Sequence, residues 1–277
     1  MSTTDRVEDL PGSIRQDLAD WLLTLADNKR VLGLRYGEWC VGAPELEADV
    51  TISAMAQYEL GHARLLRGVL GDLPEDPRDG ARRTEPSTWR SLPALDRPAP
   101  TWTELVVINA LVDNLLTVNL QAAAQGGIKV LSQRLRKVVS EEHFHSLHAE
   151  AWFERLLSGP DTIVERLQRA TDAVWPQCIA WFGPDGVDNS LDRLAAGGVL
   201  DAGAAELRSR FLAKTVPLFQ GAVRIPVEQS DGAWKMIAEI DWDGWSEASR
   251  RHGSPDFDQA SFAMITGAHA RAMGVHD

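Results

Sequence analysis

Apolar residues recur at helical spacing along the first part of the chain and predict two long helices. The first, over about 13–42, is indicated by Leu18, Leu22, Leu25 and Leu32. The second begins at Pro44, because proline is favoured in the first turn of a helix, and ends at Gly71. Residues 72 to 100 contain six prolines and therefore predict a long irregular connection.

Two more helices are predicted beyond this connection. Thr101 and Glu104 form a capping-box pattern at the start of the third helix, which continues to Gly126. The fourth helix spans about 128–157 and ends before Gly159, which precedes a proline. Four long helices with a crossover between the second and the third are typical of ferritin-like bundles.

The rest of the chain has weaker helical patterns, over about 161–183, 203–217 and 255–273, and no convincing series of strands. We therefore predict an all-α fold in which residues 1–277 form a single ferritin-like domain. Its four-helix bundle covers about 13–157, and a helical C-terminal extension covers about 160–277.

Helix two and helix four each carry a Glu-x-x-His pair on an otherwise apolar face. Glu59 and His62 lie in a stripe that includes Ile52, Met55 and Leu66, so both side chains are expected to point into the core. Helix four repeats the arrangement: Glu142 and His145 lie in the stripe of Leu131, Leu135, Val138, Ala149 and Trp152. A single pair of this kind is common, but two pairs in long helices predict a shared site.

Helix three adds Asp113 on the face of Val106 and Leu116. Buried carboxylates are costly unless they have partners, and a divalent metal ion bound also by imidazoles would supply them. Two single carboxylates and two Glu-x-x-His pairs form the ligand template of di-iron carboxylate proteins. The alternative is a buried hydrogen-bond network without metal.

The template also exposes a gap on helix one. Asp113 lies 29 residues before Glu142, and the position 29 residues before Glu59 is Arg30. Lys29 adds a second positive charge there, and the nearest carboxylates are Asp27 and Glu38. We therefore expect two irons with one site incomplete, and we retain Glu38 as the fallback ligand.

Three further residues near these motifs are predicted to be solvent-exposed or to support the ligands. His143 is expected on another side of helix four, His148 one turn beyond His145, and Glu141 in solvent.

Composition and charge limit the choice of partners and location. Against 28 basic residues the chain has 40 acidic ones, a net charge of -12 that opposes binding to nucleic acid or to an anionic membrane. Cys40 and Cys178 are far apart, which favours a reducing cytoplasm over a disulfide framework. Neither a signal peptide nor a run of 18 uncharged apolar residues occurs, so we expect a cytoplasmic protein without a membrane span.

Four segments carry a resemblance to a known family: GEWCVGAPELEADV, ELGHARLL, LVDNLLTVN and VVSEEHFHSLHAEAWFERL. Over about 18–157 the chain resembles the phenylacetyl-CoA epoxidase family of bacterial aromatic degradation. That family pairs a catalytic di-iron subunit with a related structural subunit that lacks metal ligands, both ferritin-like. The GEWC-x-x-AP segment and the AWFERL segment look like the structural subunit, whereas the two Glu-x-x-His motifs and Asp113 match the catalytic one.

The resemblance implies that Glu59, His62, Asp113, Glu142 and His145 are metal ligands, and it places Glu38 in a motif shared with the metal-free subunit. It implies an iron-dependent oxygenase that uses O2, electrons from a separate reductase, and an aromatic acid or CoA thioester as substrate. No residue is assigned a catalytic role. The main rival is a non-catalytic structural subunit; iron storage in a cage is a third hypothesis. Homo- or hetero-oligomers fit the long helices.

Overall fold

The computed structural model describes residues 7–75, 83–186 and 188–267 of the chain. Its helices are α1 Gly12–Gly37, α2 Leu46–Gly71, α3 Trp102–Ile108, α4 Asn114–Gln125, α5 Lys129–Leu157, α6 Asp161–Trp181, α7 Ser190–Ala196, α8 Ala204–Thr215 and α9 Gln259–Ile265. Its strands are β1 Val227–Ser230, β2 Ala233–Met236, β3 Trp245–Ser246 and β4 Arg251–His252.

The bundle consists of α1 packed on α2 and of the continuous α3–α4 helix packed on α5, with further contacts between the two pairs. The all-α, ferritin-like fold predicted from the sequence is thus confirmed. Helix α1 ends at Gly37, five residues before the predicted end, because turns follow from Glu38 onwards. The segment 83–101, part of the predicted crossover, contains short 3-10 turns at Pro86–Thr88 and Pro93–Leu95.

Helices α3 and α4 form one rod that is interrupted by a π-helical turn at Asn109–Asp113. The predicted cap is present: the hydroxyl of Thr101 accepts a hydrogen bond from the backbone N–H of Glu104. The rod Trp102–Gln125 is long and apolar enough to span a membrane, but 94% of its most apolar window is buried inside the protein. Its apolar character is therefore explained by its place in the bundle core.

The C-terminal extension differs from the helical prediction between α8 and α9. Two antiparallel hairpins occur there: β1 pairs with β2, and β3 with β4. Asp231 and Gly232 join β1 to β2, and both have positive φ angles, which the tight turn of a two-residue hairpin requires. An Asp-Gly pair between short strands is a recognised hairpin signal. The last predicted helix, to residue 273, ends at Ile265, and residues 268–273 lie outside the described part.

Candidate metal centre

The carboxylates and imidazoles predicted as ligands meet in the middle of the bundle. One donor atom from each of Glu59, Asp113, Glu142 and His145 lies within 4.8 Å of the others, and all four residues are buried. His62 is adjacent, because its Nδ1 lies 2.8 Å from Glu142 Oε1. The described residues thus contain a buried Glu, Asp and His group that could hold a metal ion.

The position between these carboxylates is taken by the ammonium group of Lys29. Its Nζ donates to Glu59 Oε1 at 2.8 Å, to Asp113 Oδ1 at 2.8 Å and to Glu142 Oε1 at 2.7 Å. The Lys29 side chain is fully buried. An ammonium group has three N–H donors, and each of them is used here on a different carboxylate.

Two buried hydroxyl groups bind carboxylate oxygens that do not contact Lys29. The hydroxyl of Tyr36 donates to Asp113 Oδ2 at 2.9 Å, and that of Thr117 donates to Glu142 Oε2 at 2.8 Å. Both side chains are buried. Because Asp113 ends the π-helical turn and Thr117 follows one helical turn later, the rod presents both inward. The positions of the carboxylates are therefore fixed by contacts besides those to Lys29.

The two histidines also contact the carboxylates of the cluster. His145 Nδ1 lies 2.9 Å from Asp113 Oδ2 and 3.2 Å from Glu59 Oε1. His62 Nε2 lies 2.8 Å from Glu141 Oε2, while its Nδ1 faces Glu142. Three buried atoms of these residues, Glu59 Oε2, His62 Nδ1 and His145 Nε2, form no hydrogen bond, although His62 Nδ1 lies close to Glu142.

Two residues expected to be peripheral are part of this network. Glu141, predicted to lie in solvent, is only 18% exposed, because its carboxylate pairs with His62. His148 Nδ1 lies 2.9 Å from Asn109 Oδ1, and the Asn109 amide in turn contacts the Asp113 carboxylate at 3.4 Å. His143, by contrast, is exposed as predicted.

The electrostatic field at the centre keeps Lys29 charged. Burial alone would lower the pKa of Lys29, but the charges of Asp113, Glu142 and Glu59 outweigh burial and raise the pKa. Burial would raise the pKa of Asp113 and of Glu142, yet Lys29 and the imidazoles bring both pKa values below the usual range. Burial and the nearby Asp113 charge raise the pKa of Glu59 to about 7.

The imidazoles are also favoured in their charged form. Burial opposes this, but the carboxylate of Asp113 and the hydrogen bond to Glu59 raise the pKa of His145 to about 11. Burial likewise opposes protonation of His62, whereas the contact with Glu142 raises its pKa. The positive charges of Lys29 and His145 are therefore favoured beside the carboxylates of Asp113 and Glu142.

This arrangement does not fit a two-metal centre as it stands. Carboxylate and imidazole donors suit Fe(II), but imidazoles must be neutral to bind a metal, and here the neighbouring carboxylates raise the pKa of both histidines. Helix α1 contributes an ammonium group where the di-iron template needs a carboxylate. A metal ion would have to displace the Lys29 ammonium before it could bind the same three carboxylates.

The candidate ligands on and just after α1 are not brought to the centre. Glu38, the fallback ligand, lies outside the cluster and pairs with Arg35 at 2.5 Å. Asp27 binds the guanidinium of Arg83 through both oxygens, at 2.6 and 2.7 Å. Arg30 donates to the carbonyl of Ile265 at 2.7 Å. In α1, therefore, the residues that reach the carboxylates are Lys29 and Tyr36.

Sequence reasoning did not identify Lys29 and Tyr36 as members of the cluster, although a signal was present. Leu18, Leu22, Leu25, Lys29, Leu32 and Tyr36 are spaced alternately by four and three residues, and all six are fully buried. A lysine within such a stripe must be paired inside the core.

Comparison with known proteins identifies the relatives of the chain. The profile of the phenylacetic acid catabolic protein family matches residues 1–235. The chain belongs to this family. The match extends from the bundle into the C-terminal extension as far as the β1–β2 hairpin.

Two curated members of the family are similar to this chain, both from Escherichia coli (strain K12). The C subunit of 1,2-phenylacetyl-CoA epoxidase is 26% identical over 176 residues, which cover 63% of this chain and 71% of that protein. The A subunit of 1,2-phenylacetyl-CoA epoxidase is 25% identical over 252 residues, which cover 88% of this chain and 81% of that protein. The chain is thus similar to two different subunits of one epoxidase.

Proposed function

We propose that this chain is a non-catalytic, metal-free subunit of a multicomponent oxygenase of the phenylacetic acid catabolic protein family. The observation that carries the proposal is the contact of the Lys29 ammonium with three buried carboxylates. This cation and the hydrogen-bonded imidazoles stabilise a polar core that would otherwise need metal ions. The role of the chain is then to support a related subunit that performs the oxygenation.

The relatives support assembly with a partner. Since the two relatives are named as parts of one epoxidase, we propose that this chain forms a hetero-oligomer with a related helical subunit. The reductase, O2 and the substrate, an aromatic acid or CoA thioester, would then act at that partner. The cytoplasmic location predicted from the sequence remains part of this proposal.

The second candidate is the iron-dependent oxygenase itself, and one observation favours it. All five predicted ligands, Glu59, His62, Asp113, Glu142 and His145, converge on one centre. The π-helical turn beside them is a feature often found at functional sites. This function requires the Lys29 side chain to move away and both imidazoles to bind in their neutral form.

The two candidate functions predict different iron contents for the purified chain. The chain is produced in cells supplied with iron and purified without chelators, alongside a catalytic di-iron subunit of the family. We expect far less than one iron per chain here and close to two in the control protein. Light scattering of the chain mixed with that catalytic subunit tests assembly, and a mass equal to the sum of one of each supports it. Two irons per chain and O2-dependent optical changes would instead establish the oxygenase.

A further inference from the structure

We propose that Lys29 closes a latent site for a single divalent cation, and that loss of its ammonium group alone opens this site. The proposal rests on the proposed metal-free function and concerns the residues that surround Lys29. It predicts that the metal-free state depends on one side chain rather than on the loss of the other donors.

Two of the donor carboxylates, Asp113 and Glu142, are held in place without help from Lys29. Asp113 is fixed by the Tyr36 hydroxyl, and Glu142 by the Thr117 hydroxyl. Both hydroxyls bind the carboxylate oxygen that Lys29 leaves free on that residue. Removal of the ammonium should therefore leave the carboxylates facing one another, within the 4.8 Å span measured between donor atoms.

Charge provides the driving force for a cation to enter. Without Lys29, the carboxylates of Glu59, Asp113 and Glu142 face one another in a fully buried space. Like charges at this distance repel, and a divalent ion would relieve the repulsion. Glu59 Oε2, which has no hydrogen-bond partner, and His145 Nδ1, which faces Asp113 and Glu59, are further donor atoms in the cluster. The imidazole would release its proton on binding the ion. Carboxylate oxygens with imidazole nitrogen are a donor set suited to first-row divalent metals.

The predicted stoichiometry is one ion per chain. Neither candidate carboxylate on or just after α1 reaches the centre, because Asp27 pairs with Arg83 and Glu38 with Arg35. A second metal would lack its ligand from this helix. The inferred site is therefore mononuclear and differs from the two-metal template of the fold.

The test is Co²⁺ binding to purified Lys29→Ala. Isothermal titration calorimetry measures the stoichiometry and affinity, and visible absorption reports the bound ion. We expect a single Co²⁺ per chain, at least tenfold tighter binding than in the wild type, and a rise in melting temperature on adding Co²⁺. Lys29→Gln, which is closer in size to lysine and uncharged, is a second variant for the case in which Lys29→Ala does not fold. Both variants should bind Co²⁺.

The matched control is Arg251→Ala, which also removes a buried cation from a carboxylate. Arg251 pairs with Asp96 at 2.9 Å, but no imidazole is part of this pair. This variant should gain no Co²⁺ binding. Adding His145→Ala to Lys29→Ala should weaken Co²⁺ binding and remove its imidazole-dependent absorption.

The outcomes separate this inference from the proposed function. Folded Lys29 variants that bind no more Co²⁺ than Arg251→Ala would overturn the latent site, while a wild type that purifies without iron would still support the metal-free role. If the wild type bound Co²⁺ as tightly as Lys29→Ala does, the blocking role of Lys29 would be overturned.

Discussion

Lys29 and Arg250 are both buried cations, but their surroundings are opposite in kind. Lys29 contacts three carboxylates, whereas Arg250 donates to the carbonyls of Trp181 and Phe182 and to the hydroxyl of Ser190. The field of the anions raises the pKa of Lys29. Burial among neutral groups lowers the pKa of Arg250 to about 10.

The difference shows what each cation does. Arg250 satisfies carbonyl groups at the end of α6 and connects them to the β3–β4 hairpin, which is a structural role. Lys29 neutralises a group of side chains whose types and positions match a metal site. A buried cation is therefore informative about function only when its partners are identified.

The largest effect is expected for Lys29→Ala measured without metal. This variant leaves buried carboxylates without their cation, and loss of one partner from a buried ionic group costs about 3–5 kcal/mol. Chemical denaturation at neutral pH checks the change in free energy of unfolding. A loss below about 1 kcal/mol, the scale of exposed ion pairs, would contradict a tightly paired Lys29.

A smaller effect is expected for Arg250→Met. The methionine keeps much of the apolar stem but leaves neutral carbonyl and hydroxyl groups unsatisfied, which costs about 1–3 kcal/mol. The same denaturation experiment measures it, and Co²⁺ should not restore the lost stability. Greater destabilisation than in Lys29→Ala would reverse the order inferred from the two environments.

The smallest effect, confined to acid pH, is expected from His148 at the edge of the Lys29 centre. Burial, with the charge of His145, lowers the pKa of His148 to about 4 from the usual 6.5. The unfolded chain then binds a proton more readily than the folded one. The stability that neutral His148 contributes is thus present above pH 6.5 and is lost as the pH falls towards 4, by up to about 3 kcal/mol.

NMR titration of the imidazole and denaturation of His148→Gln across this pH range check the prediction. The stability of the variant should fall less steeply than that of the wild type between pH 6.5 and 4. An ordinary pKa near 6.5 for His148 would contradict both causes of the shift, the burial of His148 and the charge of His145.

The sequence was sufficient to predict the bundle and the convergence of five side chains. Long amphipathic helices determine which face is buried, so Glu59 and Glu142 could be placed in the core from spacing alone. The β1–β2 hairpin was not predicted, because strands of four partly exposed residues produce only a weak hydrophobic pattern.

The occupant of the centre was harder to predict. Counting 29 residues back from Glu59 led to Arg30, whereas Lys29 reaches the cluster from one position earlier. Each residue turns a helix by about 100°, so an error of one position changes which side chain faces inward. The two helix pairs differ in their connecting loops, and only one of them contains the π-helical turn at Asn109–Asp113. The 29-residue spacing between Asp113 and Glu142 therefore does not apply to α1 and α2. The burial of the α1 stripe resolves the ambiguity in favour of Lys29.

The most direct measurement is iron per wild-type chain, by elemental analysis after anaerobic incubation with Fe(II) and removal of loosely bound metal. Because the Lys29 ammonium takes the position between the carboxylates, we predict a value close to zero that rises towards one in Lys29→Ala. Two tightly bound irons in the wild type would contradict this account and make the chain a di-iron protein in which Lys29 moves aside.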